Sequence, residues 1–310
     1  MKTIAIILPA YNEEMTIAGT IKSFAAELPG ALMVIVDNNS SDKTSEVAAS
    51  TMHELNIKGS VIQERRQGKG NAVRRAFHDV DADIYVMADA DLTYPAEQVH
   101  ELIRPIEEGQ ADMVVGDRHS GGQYRQENKR PLHDFGNRLV QSLVNRLFGA
   151  NLVDIMSGYR AFNRLFVKSY PILVEGFEIE TDMTLHALDK RMRIVEIPVD
   201  YRDRPPGSFS KLNTVRDGMR VINIITTVFR YYRPLAFFGG AALIFALCGI
   251  LAGIPVLGDW LRERYVYHIP LAILATGLEI IAIVLAAIGL ILDSITHQDK
   301  RNFERALLER

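Results

Sequence analysis

The chain has 310 residues, 48% of them hydrophobic, a net charge of −3 and one cysteine. That length accommodates one α/β domain of about 200 residues and an appendage. The near-neutral charge excludes the basic field of a nucleic-acid binder, and the lone Cys248 excludes a disulfide framework or a Cys/His zinc site.

At the start of the chain, the apolar stretch 4–8 is ended by Pro9, Asn12, Glu13 and Glu14 before a signal-peptide core can form, so the first domain is expected in the cytosol. From there to about residue 116, short β-rich runs alternate with polar, helix-periodic segments, and 3–9, 32–37, 60–63, 84–88 and 113–115 are the predicted strands. This rhythm implies βαβ units and a mostly parallel sheet, whose functional loops follow the strand C-termini.

Pro9-Ala10-Tyr11-Asn12-Glu13-Glu14 follows the first strand and Asp37-Asn38-Asn39-Ser40-Ser41-Asp42 the second. Carboxylates there can accept hydrogen bonds from a base or ribose, while Asp42 also suits a helix cap. Next comes Arg65-Arg66-Gln67-Gly68-Lys69-Gly70-Asn71-Ala72, whose glycines let backbone approach an anion at a helix N-terminus. It is neither a Walker A loop nor a full dinucleotide fingerprint. The sharpest feature is Asp89-Ala90-Asp91, directly after the fourth strand. Two carboxylates at i and i+2 beyond a strand end can share Mg²⁺ or Mn²⁺ with a diphosphate, and the ion neutralises the charge of a leaving diphosphate.

Residues 116–130 turn polar and Gly-rich, which reads as a mobile loop over a site, and helical patterning resumes near Leu132. A second decorated loop spans 202–213. Between 201 and 233 lie seven Lys/Arg against Asp203 and Asp217, with an apolar stretch at 221–232, the pattern of helices in a membrane interface. Residues 235–257 and 269–292 are long enough to span a bilayer, the second with one charge, Glu279. Joined by a turn at 258–268, they form a hairpin. Arg230 and Arg233 before it and Lys300, Arg301, Arg305 and Arg310 after it put both ends, both termini and the catalytic domain on the cytoplasmic side. Glu279 is expected to be protonated, paired or at a contact between copies in a homo-oligomer.

Together these motifs resemble family 2 glycosyltransferases of the GT-A fold, specifically polyisoprenyl-phosphate glycosyltransferases related to dolichol-phosphate mannose synthase and the GtrB-type bacterial enzymes. The resemblance covers nearly the whole chain and includes Gly116-Asp117-Arg118, Asp154-Ile155-Met156-Ser157-Gly158-Tyr159-Arg160 and Ser210-Lys211-Leu212. It implies a cytosolic GT-A domain over 1–212, interfacial helices over 213–233, a transmembrane hairpin over 234–295 and a tail over 296–310.

By similarity, Pro9, Tyr11, Glu13 and Asp37 hold the nucleotide of a nucleotide-sugar donor. Lys69 and Ala90 line the donor site, Asp89 meets donor and metal, and Asp91 is the main metal ligand. Arg118 and Arg130 meet the phosphate of a polyisoprenyl phosphate acceptor, and Arg204, Ser210 and Lys211 close over the diphosphate; guanidinium forks suit phosphate oxygens. One departure is Thr93, where mannose-synthase relatives carry a Gln that contacts the metal, so water or a hydroxyl can enter the shell. Asp154 and Asp182, in Glu180-Thr181-Asp182, are both candidates for orienting the acceptor. A phosphate monoester is already largely dianionic at neutral pH and needs positioning more than deprotonation.

A processive polysaccharide synthase would show Gln-x-x-Arg-Trp, whereas the only tryptophan, Trp260, sits in the hairpin turn. A transferase with a non-lipid acceptor leaves the basic segment unexplained, and a non-catalytic scaffold leaves Asp89, Asp91, Arg118 and Lys211 unexplained.

Overall fold

The sheet grows in both directions from one central strand. The computed structural model describes residues 2–120, 131–176, 178–202, 226 and 228–309, the side chains of 131–135 excepted. Its strands are β1 (Ile4–Ala10), β2 (Leu32–Asp37), β3 (Gly59–Gln63), β4 (Ile84–Met87), β5 (Met113–Asp117), β6 (Arg160–Asn163) and β7 (Ile194–Pro198), in the order β3-β2-β1-β4-β6-β5-β7. Only β6 runs antiparallel to its neighbours. The five predicted strands are present within two residues at each end. The last two, β6 and β7, extend the sheet past the segment where strands were expected.

Both faces of the sheet are covered, and strand parity assigns the residues. Ile6, Leu8, Ile35 and Val86 pack with α1 (Ile17–Glu27), α2 (Thr44–Glu54) and α4 (Val99–Glu107). Ala5, Ile7, Val34, Tyr85 and Met87 pack with α3 (Lys69–Asp79), α6 (Arg164–Ser169) and α7 (Ile179–Asp189). Burial on both faces is why these strands read as continuous apolar runs rather than alternating ones. A further helix, α5 (Pro131–Phe148), precedes β6.

Chain order runs outward from β1 through β2 to β3, then returns to the other side of β1 for β4. The β1/β4 junction is therefore the topological switch point where open α/β sheets bind ligands. Pro9 shows how it opens. Pairing of β1 with β4 ends at Ile7 and Met87, while pairing with β2 continues to Ala10 and Asp37. By strand parity an amide at position 9 would face the β4 side, beyond the end of that ladder, so proline costs no ladder bond there.

The chain divides into two units, Met1–Val221 and Ile222–Arg310. The second contains α8 (Pro234–Glu263) and α9 (Ile269–Leu308), each long and apolar enough to cross a membrane. Leu243, Leu251, Ile273 and Ile283 are each more than 60% exposed, so these are not core helices of the described chain. The expected turn at 258–268 is shorter in the structure. Helix α8 continues through Gly258 to Glu263, and the link is 264–268, turned by Arg264 at φ 56°. Asp259 Oδ2 accepts from the backbone N–H groups of Tyr267 (2.9 Å) and His268 (3.2 Å), satisfying donors at the start of α9. Residues 296–308, expected as a tail, continue the same helix. Glu279 reaches across the hairpin: a Cβ on Gly249 would lie 2.6 Å from its Oε1, so the carboxyl rests on the bare backbone of α8.

Arg130, Arg204, Ser210 and Lys211, most of the 116–130 loop and most of the expected interfacial helices lie outside the described residues.

Candidate active site

The parallel strands place every described motif at one edge of the sheet. Tyr11 and Glu13 follow β1, Asn38–Asp42 follow β2, Glu64–Lys69 follow β3, Asp89–Thr93 follow β4 and Arg118 follows β5. Because β6 is antiparallel, residues 154–158, which precede it, reach the same edge.

The first three loops are knitted together. Ser41 N–H donates to Asn12 Oδ1 at 2.8 Å, Asn12 N–H to Ser40 Oγ at 3.0 Å and Glu13 N–H to Thr44 Oγ1 at 2.8 Å. Buried Asp37 accepts from Ser40 N–H at 3.0 Å, and Asp42 accepts from Thr44 N–H at 3.0 Å at the start of α2. Asn38 donates to Arg66 O at 2.7 Å and accepts from Gly68 N–H at 2.7 Å, while Gln67 Nε2 donates to Tyr11 Oη at 3.2 Å. In the first turn of α3, Gly70 N–H donates to Glu175 O at 2.9 Å.

The turn after β4 is tight. Leu92 adopts φ 63°, a conformation that costs a non-glycine residue about 1–2 kcal/mol and persists only where its surroundings impose it. Asp91 is 2% exposed, and its Oδ1 accepts from the Thr93 hydroxyl at 2.6 Å and the Thr93 N–H at 3.2 Å. The hydroxyl expected as a possible shell member thus orients the aspartate. Ala90 O accepts from Thr20 Oγ1 at 3.1 Å, pinning the turn to α1. Among the described residues no third acidic, His or Cys side chain joins Asp89 and Asp91 in a metal cluster. Two hard carboxylates with no closed shell suit a divalent ion that takes its remaining ligands from phosphate oxygens and water, so the donor set fits Mg²⁺ or Mn²⁺.

Around this turn lie two buried ion-pair groups. Lys69 Nζ, 8% exposed, is 2.5 Å from Asp89 Oδ1 and 2.5 Å from Glu180 Oε1. Burial pushes the ammonium's pKa down, but the two carboxylates outweigh it and hold the group firmly protonated. The second group pairs Arg118 with Asp154 in a fork: Nε to Oδ2 at 2.7 Å and Nη2 to Oδ1 at 3.0 Å. Burial raises the Asp154 pKa, the guanidinium more than offsets this, and the carboxyl is held below its ordinary value.

Between the two groups, Arg160 is fully buried and binds the loop 154–158 from beneath. It donates to Ser157 O at 2.8 Å, Ile155 O at 2.8 Å and Thr184 Oγ1 at 2.9 Å. Glu196 on β7 accepts from Asp154 N–H at 2.8 Å, and Tyr94 Oη accepts from Gly158 N–H at 2.9 Å.

Asp182 lies on the same helix as Glu180 but accepts from Tyr170 Oη at 2.6 Å, and burial raises its carboxyl pKa. Glu180 is thus the residue of that helix that reaches Lys69. The sequence places Glu180 only in a candidate group with Thr181 and Asp182, and it points to no role for Arg160, Glu196 or Tyr94. The available signal was Arg160, a lone cation inside the apolar run 159–162.

Gly158 closes the arrangement. An added Cβ would lie 2.9 Å from Asp89 Oδ2 and 3.0 Å from Lys69 Nζ. Gly158→Ala is expected to lower turnover by about tenfold while stability changes by less than ~1 kcal/mol, because the clashing atoms are movable side-chain ends. Initial rates and thermal melts check this, and undiminished turnover would show that the Asp89–Lys69 geometry tolerates displacement.

The fold and this edge define a GT-A glycosyltransferase. The model of glycosyl transferase family 2 matches residues 5–170, more than half of the chain, and the chain belongs to that family. It is 29% identical over 303 residues to glycosyltransferase AglJ of Haloferax volcanii, covering 97% of this chain and 96% of that one. It is 27% identical over 259 residues to undecaprenyl-phosphate 4-deoxy-4-formamido-L-arabinose transferase of Shewanella sediminis, covering 81% and 73%. Among solved structures, glucosyl-3-phosphoglycerate synthase from Mycobacterium tuberculosis in complex with Mn²⁺ and UDP-glucose superposes with a TM-score of 0.55. At 23% identity, covering 74% of this chain and 78% of that one, it shares the fold.

Proposed function

We propose that the chain is an inverting transferase that moves a hexose or N-acetylhexosamine from a UDP-sugar to a polyisoprenyl phosphate, such as undecaprenyl phosphate, at the cytoplasmic face of a membrane. The observation that carries this reading is the Asp89–Asp91 turn at the β1/β4 switch point of a chain that also carries two exposed apolar helices. The relative that acts on undecaprenyl phosphate supports the acceptor, and the neighbour solved with Mn²⁺ and UDP-glucose supports the donor. The excess of Lys and Arg beside the hairpin supports a cytoplasmic catalytic domain and cytoplasmic termini.

Asp91, oriented by Thr93, and Asp89 would hold the divalent ion, which when bound supplies Lewis-acid neutralisation of the departing diphosphate. Tyr11, Glu13 and Asp37 stand on the knitted loops at the nucleotide end of the crevice, with Pro9 marking where the strands part. Lys69, anchored by Glu180, brings a positive charge to the same edge. Asp154 holds Arg118 in a fixed fork orientation suited to the acceptor phosphate.

No strong base is needed. With a second pKa near 6, a phosphate monoester is already largely dianionic at neutral pH. It attacks the anomeric carbon as the bond to the diphosphate breaks, and the bonding electrons leave with the diphosphate. Asp154, its pKa held low by Arg118, is a poor proton acceptor and serves to position.

The test is incorporation of radiolabelled sugar from a panel of UDP- and GDP-sugars into undecaprenyl or dolichyl phosphate by detergent-purified protein with Mg²⁺ or Mn²⁺. Metal-dependent transfer to lipid establishes the reaction and names the sugar. Transfer only to a soluble phosphate acceptor, or none to either lipid, would sink the lipid reading.

A further inference from the structure

We propose that Lys69, by pairing with Asp89, makes binding of the divalent ion depend on arrival of a diphosphate, and that Glu180 is a positioning residue that shares the ammonium and so keeps Asp89 available for exchange. This rests on the assignment of Asp89 and Asp91 as metal ligands. Lys69 is the first residue of α3, where the helix dipole disfavours a cation. Helix stability therefore does not explain a buried ammonium there; the two carboxylates at 2.5 Å do. One of them is Asp89, so a metal ion arriving alone competes with an internal cation for that carboxylate. The other, Glu180, is 5% exposed and belongs to α7, on the far side of Lys69's own helix in sequence and outside the Asp-Ala-Asp turn.

An ammonium has three donors, so Lys69 can keep Glu180 while exchanging Asp89 for a phosphate oxygen. A diphosphate that draws Lys69 away frees Asp89 for the ion, and the ion in turn holds the diphosphate. The coupling is reciprocal, because each ligand must raise the affinity of the other by the same factor. The wall formed by Gly158, whose added Cβ would meet both Asp89 and Lys69 within 3.0 Å, keeps the exchange local. Glu180 prevents the ammonium from settling wholly on Asp89.

Opposite signs for two substitutions distinguish this from a merely structural role. Mn²⁺ binding to the full-length protein in detergent is followed by the electron paramagnetic resonance signal of the free ion, with and without UDP as the diphosphate probe. In the native protein UDP is expected to tighten Mn²⁺ binding by about tenfold or more, within the usual range of coupling between sites. Lys69→Met is expected to tighten Mn²⁺ binding in the absence of UDP by about tenfold and to shrink the UDP effect. Glu180→Gln is expected to weaken it without UDP by a few-fold, because the ammonium then has Asp89 as its only carboxylate.

Lys69→Met leaves the buried Glu180 carboxylate facing the half-buried Asp89 without a countercharge, so the double variant K69M/E180Q, which removes both the ammonium and the Glu180 charge, provides the same reading if the single variant does not fold. Unchanged or weaker Mn²⁺ binding without UDP in Lys69→Met and in K69M/E180Q, or unchanged binding in Glu180→Gln, with UDP-dependent binding intact in the native protein, overturns the proposal alone. Absence of Mn²⁺ binding by the native protein even with UDP overturns the metal assignment and the proposal together.

Discussion

Asp91→Ala is expected to reduce sugar transfer by at least about 10³-fold with the fold intact, the magnitude usual for removing a principal electrostatic stabiliser of a leaving group. The carboxylate is 2% exposed and held by both Thr93 donors, so its orientation is set before any ligand arrives. Its loss removes the proposed metal ligand and leaves the two Thr93 donors without their acceptor, a stability cost of about 1–3 kcal/mol. Asp91→Asn keeps the shape and the hydrogen bonds but not the charge, and should be almost as inactive. Mn²⁺-dependent incorporation assays with a thermal melt and circular dichroism check both variants. Activity within tenfold of native in a folded Asp91→Ala protein would remove this residue from the metal site.

The gathering of motifs at one edge of the sheet was legible because those after β1, β2, β4 and β5 follow strands buried on both faces. Continuous apolar runs such as 32–37 and 84–87 are hard to read as anything else, and parallel topology then puts the residues after them on one edge. Strand β6 was not legible, because it is four residues long and opens on Arg160, a charge buried against backbone carbonyls that no hydrophobic pattern reveals. Strand β7, half-exposed and carrying Glu196 in its middle, lacked both the alternation and the apolar run that mark a strand.

The same physical reason hides the partnerships. Lys69, Asp89 and Glu180 come from three different segments, and only the sheet's return through β4 and β6 brings them together. On α7, residues 180 and 182 point about 200° apart at 100° per residue. A motif containing both can thus commit only one of them to the crevice, and the structure commits Glu180. The two long apolar helices were legible from composition alone, but the seat of Glu279 on Gly249 was not, since it depends on the register of two antiparallel helices.

Asp154→Asn is expected to destabilise the protein by about 3–5 kcal/mol, because it leaves the Arg118 guanidinium, 11% exposed, without its countercharge. The pH dependence follows from the direction of the shift. Asp154's folded-state pKa lies below its unfolded value, near 3.9, so its contribution is fully present above that value and is lost as pH falls through the folded one. The stability gap between the native protein and Asp154→Asn should therefore be constant from about pH 5 upward and close below about pH 4. Denaturant melts across this range measure it.

A partner substitution separates positioning from stability. Arg118→Met combined with Asp154→Asn removes both charges and should recover much of the lost stability, since replacing a whole buried pair costs far less than breaking it. Transfer should nevertheless stay low, because the guanidinium proposed to meet the acceptor phosphate is gone, and the acceptor KM should rise more than kcat falls. If Asp154 were instead the proton acceptor, Asp154→Asn would depress kcat at every acceptor concentration and abolish a titration in the kcat profile of the native protein. A titration near neutrality that is present in the native profile and lost in Asp154→Asn would contradict a carboxylate held ionised by Arg118, whereas the acceptor phosphate's own ionisation near pH 6 appears in both.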